Sequence, residues 1–148
     1  MILIFMSVLI CGASSCHNED DPIKTGNNTP MANGKIKITV NSQTFTATLL
    51  DNNSAKAFIE MLPMTINMTE LNGNEKYYDL PNPLPTNSSN PETIKNGDLM
   101  LYGSNTLVLF YKTFSTSYSY TNLGSIDDVS GLASALGSGS VTLTFESE

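Results

Sequence analysis

The sequence predicts a mostly β domain, a closed barrel of about eight short strands with two short helices plugging its ends. Three observations predict it. Polar and apolar residues alternate with period two in short stretches between Lys35 and Phe145, the pattern of half-buried strands. Turn residues separate the stretches at short intervals, as at Asn41-Ser42, Asn72-Gly73 and Gly103-Ser104-Asn105. Only two stretches switch to helical spacing, and each ends at a breaker, Pro63 for the first and Gly137 for the second.

The elements follow in chain order. Lys35–Val40 sets Ile36, Ile38 and Val40 on one face, Gln43–Leu50 sets Phe45, Ala47 and Leu49, and the pair forms a hairpin. Asp51 or Asn52 then caps a helix over Asn53–Leu62, with Ala57, Phe58, Met61 and Leu62 on its buried side. Thr65–Thr69 and Glu75–Leu80 are strands around Asn72-Gly73. Four prolines (81, 83, 85 and 91) make Pro81–Asn96 a surface loop. Asp98–Tyr102 and Thr106–Tyr111 form a second hairpin, and Phe114–Tyr120, alternating Phe114, Thr116, Tyr118 and Tyr120, reads as a further strand. A helix opens at Asp127 or Asp128 and runs through Leu136, burying Val129, Leu132, Ala133 and Leu136. Val141–Phe145 is the last strand.

This folded domain takes up residues 35–148, after a signal peptide (1–15) and a flexible linker (16–34). The apolar run Met1–Ile10 is shorter than the ~20 residues a spanning helix needs, and it matches the h-region of a secretory signal. Ala13-Ser14-Ser15 directly before Cys16 resembles the lipobox of bacterial lipoproteins. That resemblance implies lipidation of the Cys16 thiol and cleavage just before it, so the expected partner is a membrane, reached through the Cys16 anchor. Glu19, Asp20 and Asp21 resemble the acidic export signal of surface lipoproteins in some Gram-negative bacteria. The expected location is the cell envelope, at the outer membrane and on its outer surface. Between Thr25 and Asn33 the chain is rich in Asn and Thr, with Pro30 and Gly26, and has no hydrophobic period, as a tether requires.

Composition excludes more chemistry than any motif assigns. The chain has seven lysines, no arginine and a net charge of −7, the wrong balance for a nucleic-acid binder. Its only histidine, His17, lies in the tether, so the domain can hold no His-based triad or His metal cluster. With Cys16 lipidated there is no disulfide framework and no thiolate metal site. Serines abound, but none stands in a Gly-x-Ser-x-Gly elbow. Gly137-Ser138-Gly139-Ser140 lacks the lysine and following helix of a phosphate cradle and reads as a turn. No metal and no cofactor are expected.

The set Ala57–Pro63, Glu75–Pro81, Gly97-Asp98 and Leu123-Gly124, in that order, is similar to the bacterial cyclophilin-like domain family. The likeness runs from Lys35 to Glu146 and implies the eight-stranded cyclophilin barrel. Cyclophilins that isomerise prolyl bonds use an arginine, aromatic residues and a histidine near a Phe-Gly pair. By that resemblance Leu123-Gly124 stands for the pair and Tyr120 for the histidine, while the arginine has no counterpart. The barrier to peptide rotation is ~18–20 kcal/mol, and lowering it by withdrawing amide resonance calls for a donor that this chain lacks. Isomerase activity of the usual kind is therefore not expected.

What remains is a set of aromatic residues on strands. Glu75, Tyr77, Tyr111, Tyr118 and Tyr120 are the candidate ligand-binding residues, with Glu60 a further acidic neighbour. Alternation puts Tyr77 and Tyr78, and likewise Phe110 and Tyr111, on opposite faces, so at most one of each pair reaches a common cleft. The same aromatics would equally serve a strand core. The resulting reading is a tethered module that binds a peptide, protein or small ligand without catalysis. Its rivals are a divergent prolyl isomerase and a structural part of an envelope assembly.

Overall fold

The computed structural model describes residues 28–148; the expected signal peptide, Cys16 and most of the expected linker lie outside them. The chain runs β1 (Pro30–Val40), β2 (Gln43–Leu50), α1 (Asn53–Ile59), β3 (Met64–Leu71), β4 (Glu75–Asp79), β5 (Thr93–Ile94) and β6 (Asp98–Tyr102). It continues with β7 (Thr106–Phe110), β8 (Phe114–Ser115), β9 (Thr121–Ile126), α2 (Leu132–Leu136) and β10 (Val141–Ser147). Eight of these strands close into an antiparallel barrel in the order β1-β10-β3-β4-β7-β6-β9-β2, and β5 and β8 pair separately. The mostly β class and the closed eight-stranded barrel with two helices are as the sequence predicts.

Local chemistry explains the corners. Asn41 at the first hairpin and Asn72-Gly73 at the next all take positive φ, the left-handed region that Asn and Gly enter most readily. Asn52 is the N-cap of α1, its side chain accepting a hydrogen bond from the Ala55 amide at 2.8 Å. The helix ends at Ile59, three residues before the expected Leu62. Its last turn tightens, with the Met61 and Leu62 amides reaching only three residues back, before a chain that must enter Pro63.

Three further expectations need correction. Strand β1 begins at Pro30 and not at Lys35, pairing Pro30 with Leu50 across an irregular register, so residues 30–34 join the sheet. Helix α2 is confined to Leu132–Leu136. Neither Asp127 nor Asp128 caps it: Asp127 is bound by Lys35 at 2.7 Å and by the Thr48 hydroxyl, and Asp128 closes a turn by accepting from the Ser130 amide. The third change concerns Phe114–Tyr120. Only Phe114 and Ser115 are strand, and the barrel strand that follows, Thr121–Ile126, is one the alternation did not reveal. Residues 114–120 instead form a ragged ribbon with residues 89–94, joined at Ile94 to Phe114, Thr93 to Ser115 and Ser89 to Tyr120.

That ribbon divides the core in two. Inside the barrel pack Ile36, Ile38, Val40, Leu49, Leu107, Leu109 and Phe145, with Phe58 of α1 meeting Phe145 edge-on at 5.8 Å. Outside it, Ile94 and Tyr120 cover Met100, Val108 and Phe110, with Phe114 packed against them. Strands β6 and β7 are thus buried on both faces. Their unbroken apolar runs, Leu99-Met100-Leu101 and Leu107–Phe110, follow from that double burial.

Candidate functional site

Strand β4 pairs with β7 so that Glu75 faces Phe110, Tyr77 faces Val108 and Asp79 faces Thr106. On β6, Met100 and Tyr102 pair with Val108 and Thr106. The two-residue period therefore directs Glu75, Tyr77 and Asp79 to the outer surface of the barrel, beside Tyr102, and turns Lys76 and Tyr78 inward. The ribbon rises along this surface and presents Tyr118 and Tyr120. Together they bound a cleft of about 310 Å³, with Leu71 and Asn72 of the β3–β4 hairpin at one end.

Four of the five expected residues, Glu75, Tyr77, Tyr118 and Tyr120, line this cleft. Tyr111 does not. It enters the barrel, where its hydroxyl donates to Glu70 Oε1 at 2.7 Å. The sequence could place Tyr111 opposite Phe110 but could not say which of the two faced the cleft. Glu60 is exposed at the C-cap of α1 and is not among the lining residues. Tyr102, another of the strand aromatics, lines the cleft with them, and Asp79, Thr106 and Leu71 line it without having been expected. Asp79 was within reach, because it follows Glu75 and Tyr77 in the same alternation.

The tyrosines form a cornered wall. The Tyr102 ring stands perpendicular to Tyr118 at 6.1 Å and tilted to Tyr120 at 5.6 Å, and Tyr120 meets Phe110 edge-on at 5.5 Å. Tyr120 is buried, whereas Tyr118 and Tyr102 remain 61% and 48% exposed. Leu71, at 42%, completes the large apolar side chains left exposed among the described residues, and all three border the same cleft. Scattered exposed apolar residues are ordinary, but a contiguous patch marks a contact surface.

Two carboxylates sit against this wall. Asp79 accepts from the Thr106 hydroxyl at 2.7 Å. Glu75 is half-buried, and no hydrogen bond or ion pair holds its carboxylate among the described residues. Burial, with the nearby Glu70 charge second, raises its pKa above the ordinary 4.5. The Tyr120 hydroxyl is likewise raised, by burial first and by the Glu75 charge next. No group of three or more His, Cys, Asp or Glu positioned to hold a metal occurs among the described residues.

Beneath the cleft, on the inner side of β4, lies a polar cluster. Lys76 is fully buried, and its Nζ donates to Glu70 Oε1 at 2.8 Å and to the carbonyls of Gly137 and Gly139 at 2.8 and 2.6 Å. The ammonium also lies 5.3 Å from the centre of the Tyr111 ring. All three donor directions of the lysine are satisfied, which is what makes its burial tolerable. Burial drives the Glu70 pKa up, but hydrogen bonds from Lys76, Tyr111 and the Gly73 amide outweigh it and leave the carboxyl below its ordinary value. The Tyr111 hydroxyl is pushed up to about 12, by burial and then by its bond to Glu70.

The antiparallel eight-stranded barrel matches the fold that the sequence resemblance implied. The sequence model of the cyclophilin-like family matches residues 38–146, most of the chain. The chain belongs to the cyclophilin-like family. Among solved structures, a hypothetical protein from Archaeoglobus fulgidus, determined in solution, is similar with a TM-score of 0.52 at 13% identity. The match covers 83% of this chain and 98% of that one, and at such low identity it speaks for the fold alone. No curated protein matches the chain. Within the cyclophilin-like domain, Tyr120 is buried in the cleft wall, and no arginine exists in the chain to stand beside it.

Proposed function

We propose that this protein is a lipid-anchored component of the cell envelope whose cyclophilin-like domain binds a ligand in the outer cleft without transforming it. One observation carries the binding reading: Leu71, Tyr102 and Tyr118, the large apolar side chains left exposed among the described residues, border a single cleft. Burying them against a ligand removes apolar surface from water, at ~25 cal/mol per Å². A cleft of about 310 Å³ falls at the small end of the ~300–1,000 Å³ usual for ligand sites. The absence of arginine supports binding over prolyl isomerisation, since the cleft has no planar bidentate donor to set against a prolyl amide. Ala13-Ser14-Ser15-Cys16 supports the anchor, and Glu19, Asp20 and Asp21 support the outer surface of the outer membrane as its location.

A prolyl exchange measurement by NMR on a Pro-containing peptide, run with the purified protein, tests the catalytic half. We expect no acceleration above the uncatalysed rate, and clear turnover would overturn the binding-module reading. Detergent partitioning of the Cys16→Ala variant tests the anchor. Loss of the protein from the membrane fraction is expected, and retention there would refute lipidation at Cys16.

A further inference from the structure

The chemistry of the cleft walls narrows what the ligand is, and this inference rests on the cleft being a ligand site. Glu75 and Asp79 both face the cleft, and no lysine lines it; the nearest in sequence, Lys76, is turned to the opposite side of β4 and held there by Glu70 and two carbonyls. Asp79 has the Thr106 hydroxyl as partner, but the half-buried Glu75 carboxylate has none among the described residues. A carboxylate partly withdrawn from water without a counter-charge is costly, and a cation brought against it removes that cost. The tyrosine corner adds a second attraction of the same sign, because aromatic faces carry negative potential that draws cations. An anionic ligand would meet two like charges, and a neutral apolar one would leave Glu75 unpaired.

We propose that the cleft selects an organic cation: an ammonium group on an apolar stem, with the charge at Glu75 and the stem against Tyr77, Tyr102 and Tyr118. Strand geometry fits this division. Glu75 and Asp79 lie four residues apart on one face, ~13 Å along the strand, with Tyr77 midway, so a ligand of modest length engages one carboxylate and the rings together. Such a cation can come from a free small amine or from the lysine side chain of a peptide, and the two share the recognition chemistry.

The test is a titration of the purified protein with benzyltrimethylammonium, benzyl alcohol and phenylacetate, followed by tyrosine emission, which no tryptophan obscures. Benzyltrimethylammonium is expected to bind about tenfold more tightly than benzyl alcohol, with no saturation by phenylacetate. Glu75→Gln is expected to weaken the cation about fivefold and leave benzyl alcohol unchanged, with thermal stability retained. The peptide Gly-Lys-Gly, acetylated and amidated, forms a further arm. Tighter binding of the peptide than of benzyltrimethylammonium assigns the cation to a peptide lysine, and the reverse assigns it to a free amine; either outcome supports the cation. Equal affinity for cation and alcohol, or a Glu75→Gln variant that binds the cation as well as the parent, overturns cation selection while leaving a ligand cleft in place. Silence from every probe, with Tyr118→Ala equally silent, overturns the cleft as a ligand site altogether.

Discussion

Replacing Lys76 by methionine asks how much of the barrel rests on one buried charge. The methionine keeps most of the volume and removes the ammonium, so Glu70 loses its 2.8 Å partner and the carbonyls of Gly137 and Gly139 lose their donor. Removing one member of a buried pair costs about 3–5 kcal/mol because the other is left uncompensated. Here Lys76 is wholly buried but the Glu70 side chain is 21% exposed, so water can still reach it, and the lower figure of about 3 kcal/mol applies. For a domain of this size each kcal/mol moves Tm by roughly 3–4 °C, giving a fall of about 10 °C in a thermal melt followed by circular dichroism at neutral pH. Joint replacement of Lys76 by Met and Glu70 by Leu is expected to recover only the part of that loss due to the stranded carboxylate, because the Gly137 and Gly139 carbonyls and the Tyr111 hydroxyl stay without their partners. The acid limb carries a second signature. The Glu70 carboxyl sits below its ordinary 4.5 in the folded state, so its stabilisation is complete above that value and fades as pH falls through the folded value. Lys76→Met removes one cause of the depression and flattens that limb. A fall in Tm under about 3 °C, or an unchanged acid limb, would refute the assignment of a strong buried pair.

Two further substitutions probe the frame. A Cβ at Gly124 would lie 2.3 Å from the Thr48 carbonyl oxygen, a backbone atom that cannot step aside; Gly124→Ala is expected to cost about 3 kcal/mol, read as a lower urea midpoint with unchanged slope. Asn52→Ala removes both the cap on the Ala55 amide and the 2.9 Å bond from its side chain to the Asn122 carbonyl, and about 1.5 kcal/mol of destabilisation is expected by the same measurement.

The barrel was legible because its sheet is mostly one-sided. In β1, β2, β3 and β10, inward Ile, Val, Leu and Phe alternate with outward Thr, Lys and Asn, and the pattern carries strand and register together. It failed at the ribbon laid over the barrel and at the strand that follows it. The alternation of Phe114, Thr116, Tyr118 and Tyr120 comes from a ribbon lying over the barrel, and Thr121–Ile126, the strand behind it, is interrupted by Asn122 and Gly124. Gly124 is there because the β2 backbone passes too close for a side chain, a tertiary demand without a local signal. Helix α2 was overextended because Asp127 and Asp128 have the chemistry of caps, yet Lys35, distant in sequence, claims the first. At the cleft, periodicity separated Phe110 from Tyr111 but gave no absolute sense of inside and outside. The inward face of β4 carries a lysine, which no hydrophobic pattern would assign to a core.

Lys76 also works as a key for strand registration. Sliding β4 by one residue would drive Glu75, Tyr77 and Asp79 into the barrel and expel Lys76. Two carboxylates would then point into the apolar barrel interior with no partner, while the Gly137 and Gly139 carbonyls would lose their donor. The misregistered state is thus penalised from both sides of the strand. The same strand can accept changes at its three outward positions without loosening this lock, so the cleft is free to diverge in what it recognises while the barrel stays constant.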